Sequence, residues 1–151
     1  MISLYELFVV LHVLATVVGM GSTFVFPLIR KSAVTASQLR FALGLIQKLE
    51  QLPNIGGAVL VVTGILLMIL NKTGLSLMWL NISIVLLIVM IVLLAGLIGP
   101  RMRKVTQLVL SSQGDQIPAG YMQSIKTIAP LETVVQAIIV AVIVLMVLKP
   151  F

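Results

Sequence analysis

The chain contains a single histidine, His12, and it lies inside an apolar stretch long enough to cross a lipid bilayer. The stretch runs from Leu4 to Ile29. An α-helix rises about 1.5 Å per residue, so about 20 apolar residues span the hydrocarbon core. His12 is eight residues from Leu4, which places it about 12 Å below that end of the helix. An ionisable side chain at this depth is costly, and it therefore marks a candidate functional site.

Two roles for His12 remain open from the sequence. Imidazole is a common axial ligand of haem iron, and with soft methionine sulfurs it also binds copper(I). In this role His12 would be the centre of a redox-related protein that binds haem or a metal ion, with haem b as the best match. Alternatively, a neutral imidazole can form a hydrogen bond to a neighbouring helix. That role fits a non-enzymatic transporter subunit or assembly partner, and it needs no cofactor.

Other residues at a similar depth could complete a site with His12. Spacings of four, three and four residues place four residues on one face of the first helix: His12, Thr16, Gly19 and Thr23. Asn81 is six residues from Leu75, the start of a later apolar run, so we expect it at nearly the same depth as His12. Three methionines are expected near this level: Met68, Met78 and Met146. We therefore predict that the first and third helices pack around a cofactor or metal site that includes His12, Asn81 and Met68.

Further polar residues lie in the other apolar runs. Glu132 and Gln136 are one turn apart at the start of the last run, where the helix dipole favours an acid. Glu132 could contact a proton or a cation, but an interfacial cap paired with Arg101 or Lys126 is the favoured interpretation. Thr63 belongs to a set of small residues in the second run, which predicts close approach of another helix: Gly56, Gly57, Thr63 and Gly64.

The sequence contains no set of residues that is typical of a catalytic site. It has no phosphate-binding loop, no nucleophile–base set, no paired catalytic carboxylates within the apolar runs and no motif with several histidines. The absence of cysteine excludes disulfides and thiolate metal sites. We therefore assign no catalytic residue, and a non-enzymatic function is favoured.

The composition identifies the class of protein. Of the 151 residues, 60% are hydrophobic and only 9% are charged, and the mean hydropathy is +1.24. A soluble domain of this size could not bury so much apolar surface, so the chain is an integral membrane protein. Its net charge of +6 comes from basic residues that flank apolar runs. The lipid bilayer, and a second copy or another membrane protein, are therefore expected partners, whereas nucleic acid is not.

Four apolar runs predict an all-α fold with four transmembrane helices in a single domain, residues 1–151. The runs cover about 4–29, 55–70, 75–99 and 130–148. An amphipathic cytoplasmic segment over about 35–52 begins with a capping box and should be broken by Pro53. It either lies on the membrane surface or extends the second span. The first run lacks a basic start and a cleavage site, so we interpret it as a retained span rather than a signal peptide.

The basic residues predict the orientation in the membrane. Eight of the ten lysines and arginines lie in the two long connections, and only Lys72 and Lys149 lie on the other side. Basic residues prefer the cytoplasmic side of a membrane. We therefore expect a multi-pass protein of the inner (plasma) membrane with both termini outside.

The motif P-x-x-R-K occurs twice, at Pro27–Lys31 and at Pro100–Lys104. Each copy ends an odd-numbered span, and each is followed by a basic amphipathic stretch and then by a proline, Pro53 or Pro130. This repetition predicts two helical hairpins related by an axis along the membrane normal.

Short motifs in the first three spans resemble those of known proteins. They are Leu11-His12 followed by Gly19, Gly21 and Pro27, then Thr63-Gly64, and then Trp79-Leu80. Together they resemble a family of small bacterial membrane proteins of unknown function. That family is similar to the copper-resistance D membrane proteins and to the bacterial membrane-bound, haem-containing protoporphyrinogen oxidase. The resemblance implies haem or metal chemistry through His12. Asn81 and Ser83 stand where the oxidase family has a histidine and a lysine, so oxidase activity is not implied.

Overall fold

The structure, a computed structural model, describes residues 1–151 and consists of four long helices without β-strands. The helices are Leu4–Lys31, Ala36–Leu70, Met78–Leu110 and Ala119–Leu148. They contain 28, 35, 33 and 30 residues. At the α-helical rise these lengths correspond to about 42 to 53 Å, more than the hydrocarbon thickness of a bilayer. All four are also apolar enough to cross a membrane, and the predicted all-α fold with four transmembrane helices is confirmed.

Three of the long helices are divided into shorter segments. The first comprises Leu4–Ala15, Thr16–Met20 and Gly21–Lys31; the second comprises Ala36–Leu49 and Gln51–Leu70; the third comprises Met78–Ile91, Val92–Ile98 and Gly99–Leu110. The middle segments of the first and third helices are π-helical, which is a rare conformation. Each precedes the proline of a P-x-x-R-K motif, but the first ends seven residues before Pro27 and the second ends two residues before Pro100. The relation between the two hairpins stays a prediction.

The amphipathic segment extends the second span. Its predicted capping box is confirmed, because Thr35 Oγ1 accepts from the Gln38 N–H while the Gln38 side chain accepts from the Thr35 N–H. Pro53 does not end this segment as expected. The interruption lies at Glu50, and Pro53 falls in the first turn of the following segment. A helix leaves its first four N–H groups without intrahelical partners, so a proline costs little there.

The four helices pack as two hairpins, the first helix against the second and the third against the fourth. Both termini lie at one end of the bundle, which we call the terminal end. Here Lys149 Nζ lies 5.6 Å from the centre of the Trp79 ring. The opposite end carries the P-x-x-R-K motifs, and we call it the basic end. Close backbone contacts between the hairpins are concentrated in the half of the bundle toward the basic end.

The most completely buried side chains also lie toward the basic end. Leu43, Val109 and Ile128 are 0% exposed, and each comes from a different long helix. The segments that carry them, Ala36–Leu49, Gly99–Leu110 and the start of the fourth helix, pack together. The two hairpins are therefore joined mainly by an apolar core at this end.

A glycine–glycine contact closes the first hairpin. A Cβ atom built on Gly56 would lie 2.5 Å from Gly19 Cα and 2.8 Å from Gly19 N. A Cβ atom on Gly19 would lie 3.0 Å from Gly56 Cα. The two backbones touch because neither residue has a side chain, and this contact brings the first helix close enough to the second for their polar side chains to meet.

Candidate functional site

His12 lies on the face of the first helix that contacts the second helix. Its Nδ1 atom is 2.9 Å from Thr63 Oγ1. The imidazole is half-buried, and Thr63 is buried. Thr63 Oγ1 also lies 2.6 Å from the carbonyl oxygen of Val59 and 3.1 Å from that of Leu60. The histidine therefore forms a hydrogen bond between two helices of one hairpin.

The second ring nitrogen of His12, Nε2, forms no hydrogen bond in the structure. Every fully buried side-chain nitrogen or oxygen atom has a partner, so Nε2 is not fully buried. An imidazole nitrogen without a partner can bind a proton, a metal ion or haem iron. In His12, therefore, Nδ1 is fixed by a hydrogen bond and Nε2 has no partner.

Gly64 provides the space in which the His12 ring lies. A Cβ atom on Gly64 would be 3.3 Å from His12 Cε1 and 3.8 Å from Nδ1. The threonines that share a helix face with His12 bond to their own helix instead. Thr16 Oγ1 donates to the His12 carbonyl over 2.8 Å, and Thr23 Oγ1 donates to the Met20 carbonyl over 2.7 Å.

Asn81 does not meet His12. Its Nδ2 donates to the Leu75 carbonyl over 3.0 Å, so the side chain bonds to the segment that leads into its own helix. The part of the first helix around His12 packs against the second helix rather than the third. The prediction that the first and third helices pack around His12 is therefore wrong, because equal depth does not determine which helices are neighbours. Met68, on the second helix, is half-buried and forms no hydrogen bond.

A second polar site joins the first helix to the fourth. Arg30 Nη1 donates to Glu132 Oε1 over 2.8 Å, and Nη2 donates to Oε2 over 2.6 Å. This is a bidentate ion pair, and its side chains are only 5% and 15% exposed. The favoured interpretation of Glu132, a cap paired with Arg101 or Lys126, is wrong because Arg30 occupies both carboxylate oxygens.

The surroundings of this ion pair come from three helices. Met102 Sδ lies 4.0 Å from Arg30 Nη1, and the buried side chain of Tyr121 lies beside the pair. One turn beyond Glu132, Gln136 Nε2 donates to the Thr23 carbonyl over 3.4 Å. These contacts bind the first, third and fourth helices together toward the basic end.

The sequence did not identify Arg30 as a site residue, because its sequence context is the same as that of the other basic residues that flank the spans. The chain has only four acidic residues. An acid inside an apolar run needs a cation nearby, and this requirement could have directed attention to the arginines at the same end.

Arg103 holds the same place as Arg30 in the second P-x-x-R-K motif, but it forms no ion pair. Its Nε donates to the Gly99 carbonyl of its own helix over 3.5 Å. Only the first motif therefore links its arginine to an acid of the other hairpin.

The chain has no group of three or more histidine, cysteine, aspartate or glutamate side chains that could hold a metal ion. At His12 the imidazole is therefore the one side chain of these types that could bind a metal ion or haem iron.

Comparison with known proteins identifies a family. A family model described as "Predicted integral membrane protein (DUF2269)" matches residues 6–150. No curated protein and no solved structure matches the chain. Because the family model covers nearly the whole sequence, and the structure has four helices that can span a membrane, this chain belongs to the DUF2269 family of predicted integral membrane proteins.

Proposed function

We propose that this protein binds haem, or failing that a metal ion, through His12 in a redox-related role. The observation that carries the proposal is the arrangement of the imidazole. Nδ1 lies 2.9 Å from Thr63 Oγ1, whereas Nε2 is not fully buried and has no hydrogen-bond partner. Histidines that bind metals almost always have one ring nitrogen fixed by a second group, which sets the orientation of the ring.

The residues around His12 fit haem b better than a bare ion. A bare ion would receive one strong ligand from this chain, because no cluster of metal-binding side chains is present. Haem iron already carries the four porphyrin nitrogens and needs only an axial ligand. The hairpins make few close backbone contacts around the level of His12, and bound haem would lie between them at that level. Bound haem would supply one-electron chemistry, with His12 and Met68 as the residues that would hold it.

The motifs Leu11-His12 and Thr63-Gly64 resemble those of a membrane family of unknown function, and the structure brings them into contact. The proposal further takes that family to be similar to the copper-resistance D proteins and the haem-containing oxidase, in which case this histidine is the expected ligand. The oxidase itself is not proposed as the activity, since Asn81 and Ser83 replace two of its residues.

An absorption spectrum tests the proposal. We expect protein purified from haem-replete cells to show a Soret band, and His12→Ala to lose it, because the axial ligand is removed. Ser83→Ala is the matched control: Ser83 Oγ donates over 2.8 Å to the Trp79 carbonyl of its own helix, so its loss should leave the band unchanged. A wild-type protein without Soret absorbance, or a band that persists in His12→Ala, would contradict the proposal.

The His12–Thr63 contact also favours a second candidate, a non-enzymatic assembly partner or transporter subunit. In that case the hydrogen bond only joins two helices, which contributes about 0.6 to 2 kcal/mol in a membrane. The same spectra separate the candidates. Absent Soret absorbance together with a destabilised His12→Ala variant would favour the structural role.

We further propose that the protein lies in the plasma membrane. Its basic end would face the cytoplasm. The eight-to-two distribution of basic residues supports this orientation. Because the chain has no cysteine, single cysteines report on each side without background. We expect a membrane-impermeant maleimide to label Ile2→Cys in intact cells and Gln113→Cys only after permeabilisation. The opposite labelling pattern would reverse the orientation.

A further inference from the structure

We infer that Thr63 holds His12 as the tautomer protonated on Nδ1, so that the Nε2 lone pair is the atom that binds a Lewis-acidic ligand such as haem iron. Thr63 is thus a positioning residue, and it would touch no ligand itself. The identity of the ligand rests on the proposed function, whereas the tautomer follows from the contacts within the apoprotein.

The first step concerns the proton of the Thr63 hydroxyl. Oγ1 lies 2.6 Å from the Val59 carbonyl and 3.1 Å from the Leu60 carbonyl. A carbonyl oxygen only accepts hydrogen bonds, and a hydroxyl group has one proton. The Thr63 proton is therefore directed to its own helix, toward the shorter of the two contacts. The hydroxyl oxygen then has lone pairs, and no proton, for a third partner.

The second step concerns the imidazole. His12 Nδ1 is 2.9 Å from Thr63 Oγ1, so this contact is a hydrogen bond only if Nδ1 carries a proton and donates it. A neutral imidazole has one such proton, and its other nitrogen is then an acceptor. Nε2 is therefore left with a lone pair, and that atom is not fully buried and has no hydrogen-bond partner.

The third step concerns how firmly the ring is held. Thr63 is only 4% exposed, so water does not compete strongly for the bond, and hydrogen bonds are stronger in such low-dielectric surroundings. Gly64 lies against the edge of the ring, and a methyl group there would be 3.3 Å from Cε1. The second helix therefore fits the imidazole closely and fixes the direction in which Nε2 points.

Nitrogen NMR tests the tautomer directly. His12 is the only histidine, so protein labelled with ¹⁵N-histidine gives a single pair of ring nitrogen signals. In the apoprotein, at a pH at which the imidazole is neutral, we expect a protonated Nδ1 and an unprotonated Nε2. Thr63→Ser, which keeps the hydroxyl, should give the same pattern. Thr63→Val, which keeps the shape but removes the acceptor, should lose the selection for this tautomer.

Either of two results would overturn the inference. One is a protonated Nε2 in the wild-type apoprotein, and the other is an unchanged tautomer in folded Thr63→Val.

Haem titration then separates this inference from the proposed function. We expect Thr63→Val to bind haem about 10- to 100-fold more weakly than the wild type, as for other residues that orient a metal-binding histidine, and Thr63→Ser to bind nearly as well. If the wild type binds no haem, the proposed function fails while the tautomer assignment stands. If Thr63→Val binds haem as tightly as the wild type, the positioning role fails and the haem proposal stands.

Discussion

Glu132→Ala is expected to lower the free energy of unfolding by about 3 to 5 kcal/mol, because it leaves a buried arginine without its counter-ion. Arg30 is 5% exposed and directs both terminal nitrogens to the Glu132 carboxylate. No other carboxylate forms an ion pair in the structure, so no acid is in place to replace it. Denaturation of the purified protein in mixed detergent micelles measures the effect.

Two further variants separate the loss of the ion pair from the loss of packing. Arg101→Ala removes an exposed arginine next to the same region, and it should change the free energy of unfolding by less than about 1 kcal/mol. The double variant Arg30→Met with Glu132→Leu replaces both charges by apolar groups, and such replacements are often neutral or stabilising. We therefore expect the double variant to be more stable than Glu132→Ala. If Glu132→Ala behaves like Arg101→Ala, the ion pair does not hold the helices together.

The second large effect is expected from Gly56→Ala, which should destabilise the protein by about 1 to 3 kcal/mol through overpacking. The added methyl group would lie 2.5 Å from Gly19 Cα. Backbone cannot rotate away as a flexible side chain could, so the first and second helices must separate. Separation would also lengthen the His12–Thr63 contact, and we therefore expect Gly56→Ala to lose haem together with stability.

The neighbouring glycine provides the control. A Cβ atom on Gly57 would meet nothing within 4 Å, so Gly57→Ala should stay within about 0.5 kcal/mol of the wild type. Unfolding in detergent and the Soret band are measured for both variants. Equal stability of Gly56→Ala and Gly57→Ala would show that the two helices do not depend on this close approach.

The sequence was sufficient for the class of protein and the number of spans, and it singled out two ionisable side chains that the structure places in contacts between helices. Apolar runs of membrane-spanning length leave little choice of fold, because backbone polar groups in lipid must bond within helices. His12 and Glu132 were recognisable because ionisable groups in such runs are rare. The residues that they contact, Thr63 and Arg30, could not be recognised from the sequence. Depth along a helix can be counted from the sequence, but the rotation of each helix and the choice of neighbour depend on packing between the helices.

Arg30 and Thr63 illustrate this limit. Arg30 has the same sequence context as Arg103, yet Arg30 is buried and Arg103 is exposed, because only Arg30 meets an acid that lies inside the bundle. Thr63 was recognised as one small residue among several in its helix. Its role as the partner of His12 follows from the approach of Gly19 to Gly56, which lie about two helical turns from His12 and from Thr63. The π-helical segments left no recognisable pattern in the sequence.

The ion pair also has a consequence for the order in which the protein is made. Arg30 and Glu132 are 102 residues apart, and ribosomes add about 5 to 20 residues per second. Glu132 is therefore synthesised about 5 to 20 s after Arg30. During that interval Arg30 has no carboxylate partner, and its long side chain must extend to the lipid headgroups. The first helix can reach its final position only when the fourth arrives, so closing the bundle is a late, post-insertion step.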